Sequence, residues 1–192
     1  MFPKENPVVE DLYPQFKWRN IWSNFCELRI IPFDKDIIYK HIHVTLATNN
    51  RLAMLNLVNS NTCNMCSEEK VQTAIHLLYE CTYIGPFYQW FLNIVMQICN
   101  FRPSSNIRFL YFDNFYENIY QKRICNLFLV LYICTVWRSR KENLRIEILK
   151  NILIRAAKEN VEIMKHRTQK SFEEPFGQYG ERLDGEELDE MI

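Results

Sequence analysis

The chain has 192 residues, 48% of them apolar and 14% aromatic, with 23 basic and 23 acidic side chains. That length suits one domain with tails, and that apolar content can build a core, so a wholly unfolded chain is excluded. Zero net charge argues against a uniformly basic polyanion binder, yet it hides a polarity: residues 121–170 carry 12 Lys/Arg against 4 Asp/Glu, and residues 171–192 carry 1 against 8. A basic block before an acidic tail suits a polyanion-binding surface with a shielding arm, and equally suits a solvated helix face beside a disordered end.

Only four glycines occur, while Leu, Ile, Asn, Lys and Glu abound, so the fold class reads as mainly α. Residues 1–14, with Pro3, Pro7 and Pro14, read as an irregular lead. They have no apolar stretch or small-residue cleavage site of a secretory signal, which points to a nuclear or cytoplasmic protein that is not secreted. Phe16, Ile21, Trp22, Phe25 and Leu28 share a helical face over residues 15–28. Asp34 is placed to cap a helix over 35–46, with Ile37, Ile38, His41, Ile42 and Leu46 as its stripe. His41 and His43, two apart, face different ways on a helix and make a poor metal pair, so they read as surface or core-rim residues.

Thr48 can cap a third helix, "NNRLAMLNLV", before "NSN" turns the chain. Val71–Glu80 reads as a short helix. Tyr83, Phe87, Trp90, Phe91, Ile94, Val95 and Ile98 line another, entered near Pro86. Residues 101–106 form a loop, and 107–116 are ambiguous between strand and irregular structure. Two helices follow, over about 117–140 and 142–168. The apolar run Ile124–Trp137 is 14 residues long, too short for the ~18 or more that span a bilayer, and reads as a buried core helix with no membrane role. The organisation expected is therefore a lead (1–14), a helical domain (15–116, with the cysteine-bearing segment 61–87 inside it), basic C-terminal helices packed on it (117–170) and a disordered acidic tail (171–192).

The chemistry is concentrated in "NTCNMCSEEKVQTAIHLLYECTYIGPF", residues 61–87. Cys63, Cys66, His76 and Cys81 read C-x2-C-x9-H-x4-C. Two cysteines separated by two residues wrap one ion from a tight turn, and His76 with Cys81 closes a tetrahedron from the other side. Three thiolates and an imidazole suit Zn²⁺ rather than Mg²⁺ or Ca²⁺, which prefer oxygen. Four protein ligands leave no open position, so one structural zinc is expected rather than a hydrolytic centre. Cys26, Cys99, Cys125 and Cys134 sit in apolar stretches and read as core packing. The retroviral nucleocapsid knuckle shares the ligand order, but its second spacer is four residues rather than nine.

The flanks carry a wider likeness. "WRNIW" (18–22), "LATNNRLAMLNLVNSNTCNMC" (46–66), "AIHLLYEC" (74–81), "YQWF" (88–91) and "VWRSRKE" (136–142) follow one another in the order of a known pattern. In these elements the chain resembles the reverse transcriptase zinc-binding domain found toward the C-terminal end of non-LTR (LINE-type) retrotransposon polyproteins. The Glu-Thr that precedes that family's histidine stands here as Gln72-Thr73, and its closing Arg-Asn as Arg140-Lys141. The resemblance implies a non-catalytic zinc module that helps a reverse transcriptase engage nucleic acid.

A polymerase is not expected. "YFDN" (111–114) ends in Asn114 where two-metal chemistry needs a second carboxylate, and Tyr111 and Phe112 read as core. No nucleophile triad or phosphate-cradling glycine loop occurs, and no small-molecule substrate is implied. For RNA or DNA the best phosphate contacts are Arg138, Arg140, Lys141 and Arg145, where a buried helix emerges into polar sequence. Tyr79 and Tyr83 are candidates to stack on unpaired bases. The competing expectation is a zinc-stabilised helical module that self-associates or docks on a reverse transcriptase core; a retroelement remnant without function is a third.

Overall fold

The structure is a computed structural model that describes residues 13–28, 30–142 and 144–168, side chains of 161–168 excepted. The acidic tail, most of the N-terminal lead, and the side chains of Lys165 and Arg167 lie outside the described residues. The described chain is helical: α1 (Trp18–Glu27), α2 (Pro32–Ile42), α3 (Asn49–Met54), a π-helical turn (His76–Glu80), α4 (Gly85–Cys99), α5 (Asn106–Leu110), α6 (Ile119–Ser139) and α7 (Ile146–Thr168). Among the described residues no strand forms beyond one antiparallel bridge, Thr62 with Val71.

α6 is the axis of the fold. Asn118 caps it by accepting from the Gln121 N–H at 2.8 Å, and its side chains from Ile124 to Val136 are buried without a break. A helix apolar on every side must be covered on every side. α2, α4, α7 and the π-turn supply the cover. By length and composition α6 could cross a membrane, but 78% of its most apolar window is buried inside the protein. Aromatic rings knit the layers: Tyr132 of α6 stacks on Phe91 of α4 with centroids 4.4 Å apart, and Phe91 in turn stacks on Phe109 at 6.0 Å.

The helix ends follow local chemistry. α2 begins at Pro32, two residues before the expected cap, because proline's fixed φ suits the first helical position. Asp34 therefore lies inside the first turn, where its carboxylate pairs with Arg138 of α6. α2 stops at Ile42 because Val44 takes the left-handed conformation (φ 54°), so Leu46 is buried from a loop instead of the helix. Thr48 caps α3 as expected, accepting from the Arg51 N–H, but the helix ends at Met54, just before Asn56 turns left-handed (φ 55°). Asn100 ends α4 in the same way (φ 46°). The ambiguous stretch 107–116 resolves into α5, capped by Ser105, followed by the fully buried Tyr111 and Phe112.

Two expectations about side chains are corrected. Cys26 is exposed, on the outer face of α1, whereas Cys99, Cys125 and Cys134 are buried. His41 and His43 are both buried rather than at the rim. His41 Nε2 lies 3.0 Å from the Leu110 carbonyl, and its ring stacks on Tyr111 at 4.6 Å. A carbonyl only accepts, so Nε2 carries the hydrogen.

Burial holds the His41 imidazole down at about 4. The unfolded chain takes up this proton below pH ~6.5, while the folded chain resists until about 4. The resulting stability is complete above pH ~6.5 and is lost as pH falls toward 4, by about 3 kcal/mol in all. His41→Phe removes the titration and the donor to Leu110. Its denaturation midpoint should sit below wild type at pH 7 and converge on it by pH 4.5; parallel profiles would refute the assignment.

Candidate metal centre

Three local devices bring the four ligands together. The first is the reversal of 61–72. The Cys63 N–H donates to the Lys70 carbonyl at 2.7 Å and the Gln72 N–H to the Asn61 carbonyl at 2.8 Å, with Glu69 in the left-handed region (φ 51°). This folds the nine-residue spacer back, so that Cys63 and Cys66 face the segment that carries His76. The second is a cap: Thr73 Oγ1 accepts from the His76 N–H at 3.0 Å and starts the helical segment.

The third device explains the H-x4-C spacing. Positions five apart on an α-helix are rotated by about 140°, at roughly 100° per residue, and face apart. Here the Cys81 N–H donates to the His76 carbonyl at 2.7 Å, the i→i+5 bond of a π-turn. The wider turn brings His76 and Cys81 back toward one face. Cys81 then leaves the helix in extended conformation.

Cys63 Sγ lies 4.0 Å from Cys81 Sγ, and Cys66 Sγ lies 3.4 Å from His76 Nε2. The four ligand atoms all fall within 4.8 Å of one another. Around a tetrahedral ion bonded at ~2.3 Å to sulfur and ~2.0–2.1 Å to nitrogen, ligand atoms stand roughly 3.5–3.8 Å apart. The set matches that scale and can hold a metal ion.

The surroundings favour the ligating forms of Cys63 and His76 but not that of Cys81. Burial works against a Cys63 thiolate, but the N–H groups of Met65 and Cys66 and the Gln72 amide outweigh it and hold the thiol below its usual value. Burial pushes the Cys81 thiol up to about 12; N–H groups of Tyr83 and Ile84 oppose this, while the neighbouring Cys63 and Cys66 add to it. Each of these sulfurs thus faces two N–H donors from the residues two and three positions on. The crowding that keeps Cys81 protonated is what a bound cation would relieve. Burial also lowers His76, which keeps its imidazole neutral, the form that ligates.

Gln72 ties the centre to the helices. Its Oε1 accepts from the Asn49 N–H at the start of α3 (3.0 Å), and its Nε2 donates to Asn64 Oδ1 (2.7 Å) and toward Cys63 Sγ (3.8 Å). A glutamate here could only accept. Behind the π-turn, Tyr132 of α6 donates its hydroxyl to the Leu78 carbonyl at 2.5 Å, anchoring the ligand segment in the core.

The expected nucleic-acid contacts are distributed differently. Lys141 and Arg145 are exposed and have no ion-pair partner among the described residues. Arg138 pairs with Asp34 and lies 5.1 Å over the Phe33 ring. Arg140 folds back onto Trp137, 3.5 Å from the ring centre, and burial lowers its pKa. Tyr79 packs edge-on against Tyr88 at 5.4 Å, and Tyr83 donates to the Leu144 carbonyl at 2.5 Å, so neither is a free stacking platform. The most exposed aromatic among the described residues is Phe115, 89% accessible, in the stretch whose structure the sequence leaves ambiguous.

Cys66→Ser is expected to abolish stoichiometric metal binding, while Cys99→Ser keeps it, since Cys99 lies in α4 away from the ligands. Gln72→Glu places a carboxylate against Cys63 Sγ and removes the donor, so metal affinity in a competition titration with a chromophoric chelator should fall about 10–100-fold. Unchanged affinity would deny Gln72 a role at the centre.

Comparison with known proteins finds no family model, no curated protein and no solved structure that matches this chain.

Proposed function

We propose that this chain is a non-catalytic, zinc-stabilised helical module of the kind that non-LTR retrotransposon polyproteins carry beside their reverse transcriptase, and that it binds RNA or DNA. The observation that supports the reading is the convergence of Cys63, Cys66, His76 and Cys81 on one tetrahedral scale. Three sulfurs and one nitrogen are a zinc donor set, and with all four positions filled by protein the ion has none left for a reacting water. Its contribution is to folding: closing the ligands fixes the π-turn against α6. For nucleic acid, the support is the turn between α6 and α7, where Lys141 and Arg145 stand exposed. Arg138 and Arg140 contribute less, since an acid and a ring already hold them.

A second reading is favoured by a different surface. Met54, Leu55 and Leu57, just before the first cysteine pair, are 75%, 55% and 68% exposed, and Val71 beside the bridge is 42% exposed. Such a cluster suits docking on a protein, either a reverse transcriptase core or a second copy of this chain.

Mass spectrometry of the purified protein should find one zinc per chain, lost in Cys63→Ser; folded, zinc-free protein would sink the zinc assignment. Affinity for a 20-nucleotide single strand should fall linearly with log salt, with a slope of roughly −0.7 per neutralised phosphate. Lys141→Ala with Arg145→Ala should reduce that slope by one to two contacts. A salt-insensitive association, or concentration-dependent dimerisation relieved by Leu57→Ser, would favour the protein-docking reading.

A further inference from the structure

Apart from the metal centre, α1, the loop 114–118 and the first turn of α6 line an open cleft of about 380 Å³. Four asparagines stand in its walls, among apolar and charged neighbours. Asn20 and Asn24, four apart, come from one face of α1, and Asn114 and Asn118 from the loop. Lys122, also in the wall, is neutralised by Glu27 at 2.9 Å. Phe115 stands at the lip with its ring in solvent.

We infer that this cleft binds an unpaired nucleobase of a single-stranded nucleic acid, stacked on Phe115 and read by the amides. The inference rests on the nucleic-acid reading above and names where a base would sit. The hydrogen-bond inventory suits a neutral heteroaromatic edge. Asn24 spends its Nδ2 on the Phe112 carbonyl (2.7 Å), which leaves its Oδ1 as an acceptor. Asn118 spends its Oδ1 on the Gln121 N–H (2.8 Å), which leaves its Nδ2 as a donor. Asn20, exposed on α1, offers both. Donors and acceptors of this kind pair with base edges, and an open aromatic face stacks on any base. A free phosphate is a poorer fit, because the one cation in the wall is already paired and Glu117 shares the lining. Arg19 and Arg123, both exposed, adjoin lining residues in sequence and are placed to meet a strand's phosphates as it passes.

The test uses the full chain, zinc-loaded, with fluorescein-labelled octamers of RNA and DNA, the same DNA octamer made abasic, and an eight-base-pair duplex. Single strands should bind more tightly than the abasic strand or the duplex. Phe115→Ala should weaken single-strand binding about 5- to 100-fold. Its zinc content and circular dichroism should stay unchanged, because the residue is 89% exposed. Asn20→Ala should weaken binding less, and unequally among homopolymers. If Phe115→Ala binds single strands as wild type does, the cleft assignment is overturned while the nucleic-acid reading stands. If neither strand nor duplex binds, both fall together.

Discussion

One hydrogen bond organises this protein: the Cys81 N–H to the His76 carbonyl, which closes a π-turn where an α-turn would ordinarily form. Through it, two ligands five residues apart share a face. Through it also, the Leu78 carbonyl is set where Tyr132 of the central helix can donate to it. π-turns are rare and seldom form without a reason. Here the reason is on both sides of the turn: a ligand set that needs the register, and a buried tyrosine hydroxyl that needs the acceptor. Metal centre and apolar core are thus two ends of one constraint.

The sequence showed some of this plainly and some of it not at all. The four ligands were legible because their side-chain types and tight first spacing have few other uses. Thr48 was legible as a cap, and the aromatic positions of α4 as core, because both follow local rules. The π-turn was not, since H-x4-C does not announce which helix geometry will satisfy it. Asp34 resembled a cap by type, but Pro32 fixed the start of α2 and freed its carboxylate for Arg138, more than one hundred positions on. The fates of Arg138, Arg140, Tyr79 and Tyr83 depend on such distant partners, which periodicity does not encode. Cys26 was misplaced for a related reason: an apolar residue near a helical stripe can still fall on its outer edge.

Where the cations end up bears on function. Lys40, Lys70, Arg108, Lys122, Arg138 and Arg155 each face an acid, so much of the positive charge is spent within the molecule. Exposed pairs of this kind contribute little to stability. They do thin out the field that would gather polyanions from a distance. Under the proposed nucleic-acid reading, such a make-up would favour a few placed contacts over bulk attraction, with weight on neutral recognition groups and on Lys141 and Arg145, which have no ion-pair partner among the described residues.

The span of the ligand set has a kinetic side. Cys63 and Cys81 are separated by 18 positions, whereas the hydroxyl that braces the turn comes from 54 positions beyond Leu78. The entropy of closing a loop grows only as the logarithm of its length, but the shorter closure needs no other part of the chain to be in place. An ion can therefore gather its ligands while the central helix is still unmade. The segment so ordered presents Leu77, Leu78 and Ile84 as a ready apolar face on which that helix can settle. A metal bound there would order this segment early, and the long-range aromatic contacts would then form on a face already in place.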